Sequence, residues 1–341
     1  MWIKKLFLGN FRNHVHGLWE FDQQVNILLG NNAAGKSTIL EAIYLLASGT
    51  SLHAQRQAEM INWQADYARV SALVELSDGG HKLEVICQRA GEGVSKQFKL
   101  DDQPVSRNKF VRMLAAVMFV SHDLRVISGS PARRRRFWNR FLGQHDLEYA
   151  RSLAGYQRAL RARNKLLKQI ASQQADSKEL FFWDKILVKN ASYIQKKRRE
   201  WVTFLNRELQ PKYQINYLQS GLDANRLQQM WQRDLERLTT GIGPHRDDWQ
   251  MDQSVAGQWR GLAEFGSAGE QRMAVLALKR LELDYWQQTL GERPILLLDD
   301  VYSELDHQHR QALDKLTAGQ QTFLTTADRH LVAQEGNLIN L

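Results

Sequence analysis

Gly30-Asn31-Asn32-Ala33-Ala34-Gly35-Lys36-Ser37 is the stretch on which the reading of this chain turns. The apolar run Val25 to Leu29 precedes it, and apolar residues at helical spacing follow from Ser37 to about Ala47. Glycine, four residues, glycine, lysine and serine is the spacing of a phosphate-binding loop, and a strand before it with a helix after it is the setting that loop requires. Gly30 and Gly35 permit backbone geometry that a Cβ would forbid, so the amides from Asn31 to Ala34 can turn toward phosphate oxygens. The helix N-terminus adds partial positive charge. Lys36 then offers a compact cation, Ser37 a hydroxyl placed for Mg²⁺, and Thr38 a second hydroxyl in the first turn. The bland alternative is a glycine-containing turn before an ordinary helix.

A second motif weakens that alternative. Ile295 to Leu298 is a four-residue apolar run ending in Asp299 and Asp300. Central strands of parallel sheets read as continuous apolar runs, and ligands gather at their carboxyl ends. Asp299 is therefore a candidate for the Mg²⁺ shell, and Asp300 for polarising an attacking water. Taken alone, two adjacent aspartates are more commonly a turn or a helix cap. Between the two motifs, Phe265-Gly266-Ser267-Ala268-Gly269-Glu270-Gln271 precedes a helix-patterned stretch from Met273 to Leu283. Small residues and a serine before a helix make a further candidate anion site.

The 341 residues suffice for about two domains. Hydrophobic residues at 43% and charged residues at 24% are ordinary for a folded chain. No stretch approaches the roughly 20 apolar residues of a membrane span, so a cytoplasmic location without membrane partners is expected. The single cysteine, Cys87, lies in an apolar β-like run and reads as a core thiol. The net charge of +9 is unevenly placed: residues 131 to 240 hold 23 Lys and Arg against 10 Asp and Glu, whereas the remainder is net acidic. That block is helix-patterned from Pro131 to about Gln210, with a polar break at Ser172 to Ser177 suited to a helical hairpin. The pattern predicts a mixed α/β head, residues 1–130 and 241–341, split by a mainly helical lobe, residues 131–240. Arg133, Arg134, Arg135, Arg136, Arg161, Arg163, Lys165, Lys196 and Lys197 are candidates for tracking a phosphate backbone without reading bases. Solvated helix faces and internal ion pairs are the competing explanation, and Arg246 beside Asp247 and Asp248 is one candidate pair.

Phosphate loop, Ser-x-Gly-Glu-Gln, apolar run with Asp-Asp, then Ser303-Glu304-Leu305-Asp306 resembles the order of ATP-binding cassette ATPases. The opening Phe11-Arg12-Asn13-His14, the stretch Phe119 to Phe137 that includes Asp123, and Gly243-Pro244-His245-Arg246-Asp247-Asp248 are similar to blocks of the RecF family, which is related to SMC heads. The resemblance spans nearly the whole chain, and the insertion is of ordinary domain size where SMC relatives carry long coiled coils. It implies a P-loop ABC-type head with ATP and Mg²⁺ as cofactors. Arg12 and Asn13 would assist nucleotide binding, and Asp123 catalysis. Ser267, Gly269 and Glu270 would act on the nucleotide of a second copy, with Asp306 near the seam of an ATP-dependent homodimer. The family's activity would be slow, DNA-dependent ATP hydrolysis coupled to binding of duplex, gapped DNA or single-strand/double-strand junctions, promoting recombinase loading with RecO and RecR. Ser121-His122 departs from the family's usual Pro-Glu. The alternative is the ATPase subunit of a membrane transporter.

Overall fold

The computed structural model describes residues 1–341 apart from 53, 55 and 92. The chain divides into two compact units, residues 1–123 with 279–341, and residues 124–278.

The first unit is built on a five-stranded parallel sheet. Its strand order is Asn337–Asn340, Val25–Leu29, Thr322–Thr326, Ile295–Asp299, Ala116–Val120. All of Ala116 to Val120, Ile295 to Leu298 and Thr322 to Thr326 is buried, which explains the unbroken apolar runs of the first two. A six-stranded antiparallel sheet stands apart from it. It contains Trp2–Phe11, His14–Glu20, Tyr67–Leu76, Gly79–Ala90, Gly93–Leu100 and Gln103–Val105. The helix Lys36–Ser48 packs against strands of both sheets, and every residue from Ile39 to Ser48 is buried. Such all-round burial is why that segment is apolar on every face rather than along one stripe. The antiparallel strands bury Leu6, Leu8, Val70, Ala72, Val74, Leu83, Val85 and Cys87. Burial pushes the Cys87 thiol above its ordinary pKa, as suits a core thiol.

The second unit holds three longer helices, Pro131–His145, Leu147–Ala171 and Leu180–Leu209, with shorter helices at Ala224–Gln229 and Trp231–Arg237. Leu187, Ala191, Ile194, Trp201 and Leu205 form the buried apolar face of the third helix. On the second helix the buried residues are Tyr149, Ser152, Tyr156, Ala159, Arg163, Leu166 and Leu167, so polar side chains share the interior with apolar ones. The unit also contains a three-stranded antiparallel sheet, ordered Gln258–Gly261, Asp248–Val255, Tyr213–Leu218. The expected boundaries at 131 and 240 differ from those observed. Asp248 to Gln253 pairs with Leu218 back to Tyr213, so this ladder ties residues beyond 240 to the lobe. Trp138 stacks on Trp249 at 5.1 Å and 6° between ring planes, joining the first helix to the same sheet.

Candidate functional site

The phosphate loop leaves the carboxyl end of the strand Val25–Leu29 and enters the helix through Gly35, whose φ of 97° is left-handed. A Cβ on Gly35 would stand 2.3 Å from His14 Nε2, so both conformation and space demand glycine. Lys36, nine-tenths buried, donates through Nζ to the carbonyls of Gly30 (2.6 Å) and Asn31 (2.8 Å). The ammonium is thereby held over the loop at the place where phosphate oxygens would compete for it. Ser37 Oγ donates to Asp299 Oδ1 at 2.7 Å, although 262 residues separate them in the chain. Thr325 Oγ1 also donates to Asp299 Oδ1, at 2.9 Å, and accepts from the Asp300 amide at 2.9 Å. Thr325 thus orients both aspartates from the neighbouring strand. It lay unnoticed in the sequence because Thr322 to Thr325 reads only as a strand; its adjacency to Asp299 arises from parallel pairing. Asp300 is exposed, with φ 50°, a conformation that aspartate tolerates better than most residues.

The turn before the strand His14–Glu20 flanks this loop. Asn13 Oδ1 accepts from Thr38 Oγ1 at 3.0 Å, and His14 Nε2 lies 3.3 Å from the Gly35 carbonyl. Arg12 is engaged elsewhere. Its Nε and NH2 donate to the two carboxylate oxygens of buried Glu41 at 2.9 and 2.7 Å, a fork that fixes the turn against the helix. Glu41 was invisible in sequence as a partner because it looks like one polar residue in a helix. Asp123 sits at the end of the neighbouring strand Ala116–Val120, where its Oδ2 accepts from the Val120 amide at 3.4 Å. It lies three residues beyond Val120, which pairs with Asp299, and is buried 3.7 Å from Lys279 Nζ. Lys279 also bonds Glu282 at 2.8 Å. Asp306 caps the helix His307–Asp314, accepting from the His309 amide at 3.0 Å and ring at 2.6 Å; these bonds hold its carboxyl below the usual range.

Ser267 and Glu270 cap the helix Ala268–Leu290 reciprocally. Glu270 Oε2 accepts from the Ser267 amide and hydroxyl, each at 2.8 Å, and Ser267 Oγ accepts from the Glu270 amide at 3.2 Å. These bonds hold the Glu270 carboxyl below its ordinary pKa. Gly269 lies within the first turn, and Gln271 Nε2 ties it to the carbonyls of Leu262 (3.0 Å) and Gly266 (3.1 Å).

A family model described as RecF/RecN/SMC N terminal domain matches residues 2–341. The DNA replication and repair protein RecF of Geobacillus thermodenitrificans is 34% identical over 364 residues, spanning 98% of this chain and 96% of that protein. Its counterpart from Bacillus subtilis is 33% identical over 351 residues, spanning 96% and 93%. The chain belongs to the RecF family. A solved structure of the recombination mediator protein RecF-ATPrS in the RecFOR pathway superposes with a TM-score of 0.87 at 30% identity, covering 100% of this chain and 96% of that one. The corresponding RecF-ATP structure gives 0.83 at 30% identity, covering 99% and 95%. An Smc head domain from Pyrococcus furiosus, at 16% identity, TM-score 0.51 and 99% and 93% coverage, shares the fold alone. The fold is accordingly an α/β P-loop ABC-type ATPase head with an inserted helical lobe. The transporter alternative finds no support among these relatives. Among the described residues no helix is long and apolar enough to cross a membrane.

The basic residues singled out in this RecF-family chain separate by environment. Arg163 is 1% exposed and bonds Asp184, Asp234 and Thr240 at 2.7 to 2.8 Å, which removes it from any phosphate-facing set. Arg134 is likewise committed inward, with a bidentate bond to Asp248 at 2.7 Å per arm. Arg135 donates to the Asp247 carbonyl at 2.8 Å, and desolvation lowers its pKa from the ordinary value. Lys197 lies 2.9 Å from Glu200 and 3.7 Å from Asp146. Arg133 is part-exposed, whereas Arg136, Arg161, Lys165 and Lys196 are exposed; Lys196 meets Glu200 only at 3.9 Å. The expected pairing of Arg246 with its neighbours is also corrected. Asp248 is held by Arg134, and Asp247 by buried Arg198 at 2.6 Å. Helix residues far away in sequence reach these aspartates, while Arg246 lies in the turn that precedes the strand Asp248–Val255.

Proposed function

We propose that this chain is an ATP-dependent DNA-binding repair protein that dimerises on ATP, binds duplex DNA or gapped single-strand/double-strand junctions, and hydrolyses ATP slowly. The observation that carries the nucleotide reading is the convergence of Lys36, Ser37, Asp299 and Asp300 at the carboxyl ends of the two strands that flank Thr322–Thr326, with Ser37 Oγ 2.7 Å from Asp299 Oδ1. The amides of Asn31 to Ala34 and the Lys36 ammonium would receive the phosphates, with Asn13 and Thr38 at the flank and Arg12 supporting the turn through Glu41. Ser37 and Asp299 supply two hard oxygens, the donor set that Mg²⁺ takes together with phosphate oxygens and water. Bound there, Mg²⁺ would neutralise charge developing on the phosphates. Asp300 would accept the proton of a water whose oxygen attacks the terminal phosphorus as the bond to the ADP oxygen breaks. Asp123 would act from beyond this shell through the adjacent strand end.

Ser267, Gly269 and Glu270 of a second copy would complete the site, with Asp306 at the seam. Arg133, Arg136, Arg161, Lys165, Lys196 and Lys197 would contact the DNA backbone. The relatives named DNA replication and repair proteins, and the RecF structures described within the RecFOR pathway, support this reading and point to RecO and RecR as partners in recombinase loading. Gel filtration and gel-shift titration of gapped DNA, with and without ATP, test it together. A dimer and DNA affinity that both depend on ATP are expected; equal DNA affinity without nucleotide would overturn the ATP-gated clamp.

A further inference from the structure

The second unit contains a cavity of about 730 Å³ between the start of the helix Leu180–Leu209 and the short helices Ala224–Gln229 and Trp231–Arg237. Its lining includes Leu180, Val188, Leu227 and Trp231, none of which contributes to the nucleotide site. On the long helix, Phe181, Lys185 and Lys189 recur every four residues and form one edge of this cavity. Phe181 is 65% exposed, neighbouring Phe182 is 61% exposed, and Lys185 Nζ lies 4.4 Å from the Phe181 ring centroid. Asp184, which also lines the cavity, pairs at 2.7 Å with Arg163, whose guanidinium it shares with Asp234. Lys185 and Lys189 have no carboxylate partner among the described residues.

We propose that this cavity is a docking site for a partner protein, and that the segment it takes carries a bulky apolar side chain flanked by carboxylates. The apolar floor gives such an anchor a desolvated seat, and exposed Phe181 extends that seat outward. The side chains lining the cavity carry three cations, Arg163, Lys185 and Lys189, against the one carboxylate of Asp184, so electrostatic complementarity selects an acidic segment. A duplex backbone presents evenly spaced phosphates and no apolar knob to fill a concave site. The proposal does not rest on the ATP-gated reading, because none of these residues belongs to the nucleotide or DNA sets.

The test uses the full chain and a phage-displayed library of random dodecapeptides, counter-selected on the Lys185→Glu/Lys189→Glu protein. Both substitutions are at exposed positions. Recovered peptides, made with a fluorescein label, are then titrated by anisotropy against the wild type, the double variant and Phe181→Ser. The expected result is a shared aromatic or aliphatic anchor beside Asp or Glu, with at least roughly tenfold weaker binding to each variant, about 1.4 kcal/mol. DNA affinity in ATP stays at the wild-type value. Absence of enrichment, peptides without acidic residues, or equal binding to the double variant overturns the proposal. Displacement of the labelled peptide by single-stranded DNA, with DNA affinity lost in the double variant, would identify a nucleic-acid site instead.

Discussion

Replacing Asp247 by asparagine keeps the shape of the side chain and removes a charge from the centre of the second unit. Asp247 is 1% exposed and accepts from Arg198 NH1 (2.6 Å), Gln195 Nε2 (3.0 Å), the Ser220 amide (2.8 Å) and the Tyr217 hydroxyl. Arg198, itself 1% exposed, is further bonded to the Pro244 carbonyl, Tyr149 and Asn139, but no other carboxylate pairs with it among the described residues. Asp247→Asn therefore leaves a buried guanidinium uncompensated and turns an amide donor toward groups that also donate. Breaking one partner of such a pair costs about 3–5 kcal/mol, whereas replacing both partners by apolar residues is often near neutral. For a unit of this size each kcal/mol lowers the melting temperature by roughly 2–4 °C, so a fall on the order of 6–20 °C is expected. Differential scanning calorimetry checks it, with Arg198→Met/Asp247→Leu as the companion. A fall of less than about 3 °C, or a double variant no better than Asp247→Asn, would refute the claim that charge compensation holds this interior together.

The nucleotide site makes its own predictions. Ser37→Ala and Asp299→Asn should each weaken the response of ATP hydrolysis to Mg²⁺ by roughly 10- to 100-fold, measured as phosphate release across a Mg²⁺ titration; an unchanged midpoint would place the metal elsewhere. Asp300→Asn should slow hydrolysis by about 10²–10⁴-fold while ATP still drives dimerisation, so the dimer should persist on gel filtration in ATP. A dimer as short-lived as the wild type's would mean that Asp300 has no part in turnover. Among the basic residues, Arg136→Ala, Arg161→Ala or Lys165→Ala should each reduce the slope of log affinity for duplex DNA against log salt by about 0.9 when that residue contacts a phosphate. Arg134→Ala, by contrast, should lower thermal stability and leave the slope unchanged, because its guanidinium is already spent on Asp248.

The contrast between Arg134 and Arg136 marks where sequence stopped being informative. Local chemistry was readable: the strand, loop and helix from Val25 to Ser48, and the apolar run ending in Asp299, each carry their conformation in contiguous residues. What joins them was not. Thr325 beside Asp299 and Glu41 beneath Arg12 follow from strand order and helix rotation, and neither leaves a contiguous signature. The same limit governs charge. Four consecutive arginines from 133 to 136 look equivalent in a linear count, yet successive helix positions point about 100° apart, so one is bound inward to Asp248 while another faces solvent. The charge block at 131 to 240 therefore mixes two populations: inward-turned arginines paired with Asp184, Asp234, Asp247 and Asp248, and exposed cations available to an external polyanion. Only the second population can release counterions from DNA, so salt dependence, rather than net charge, measures its size.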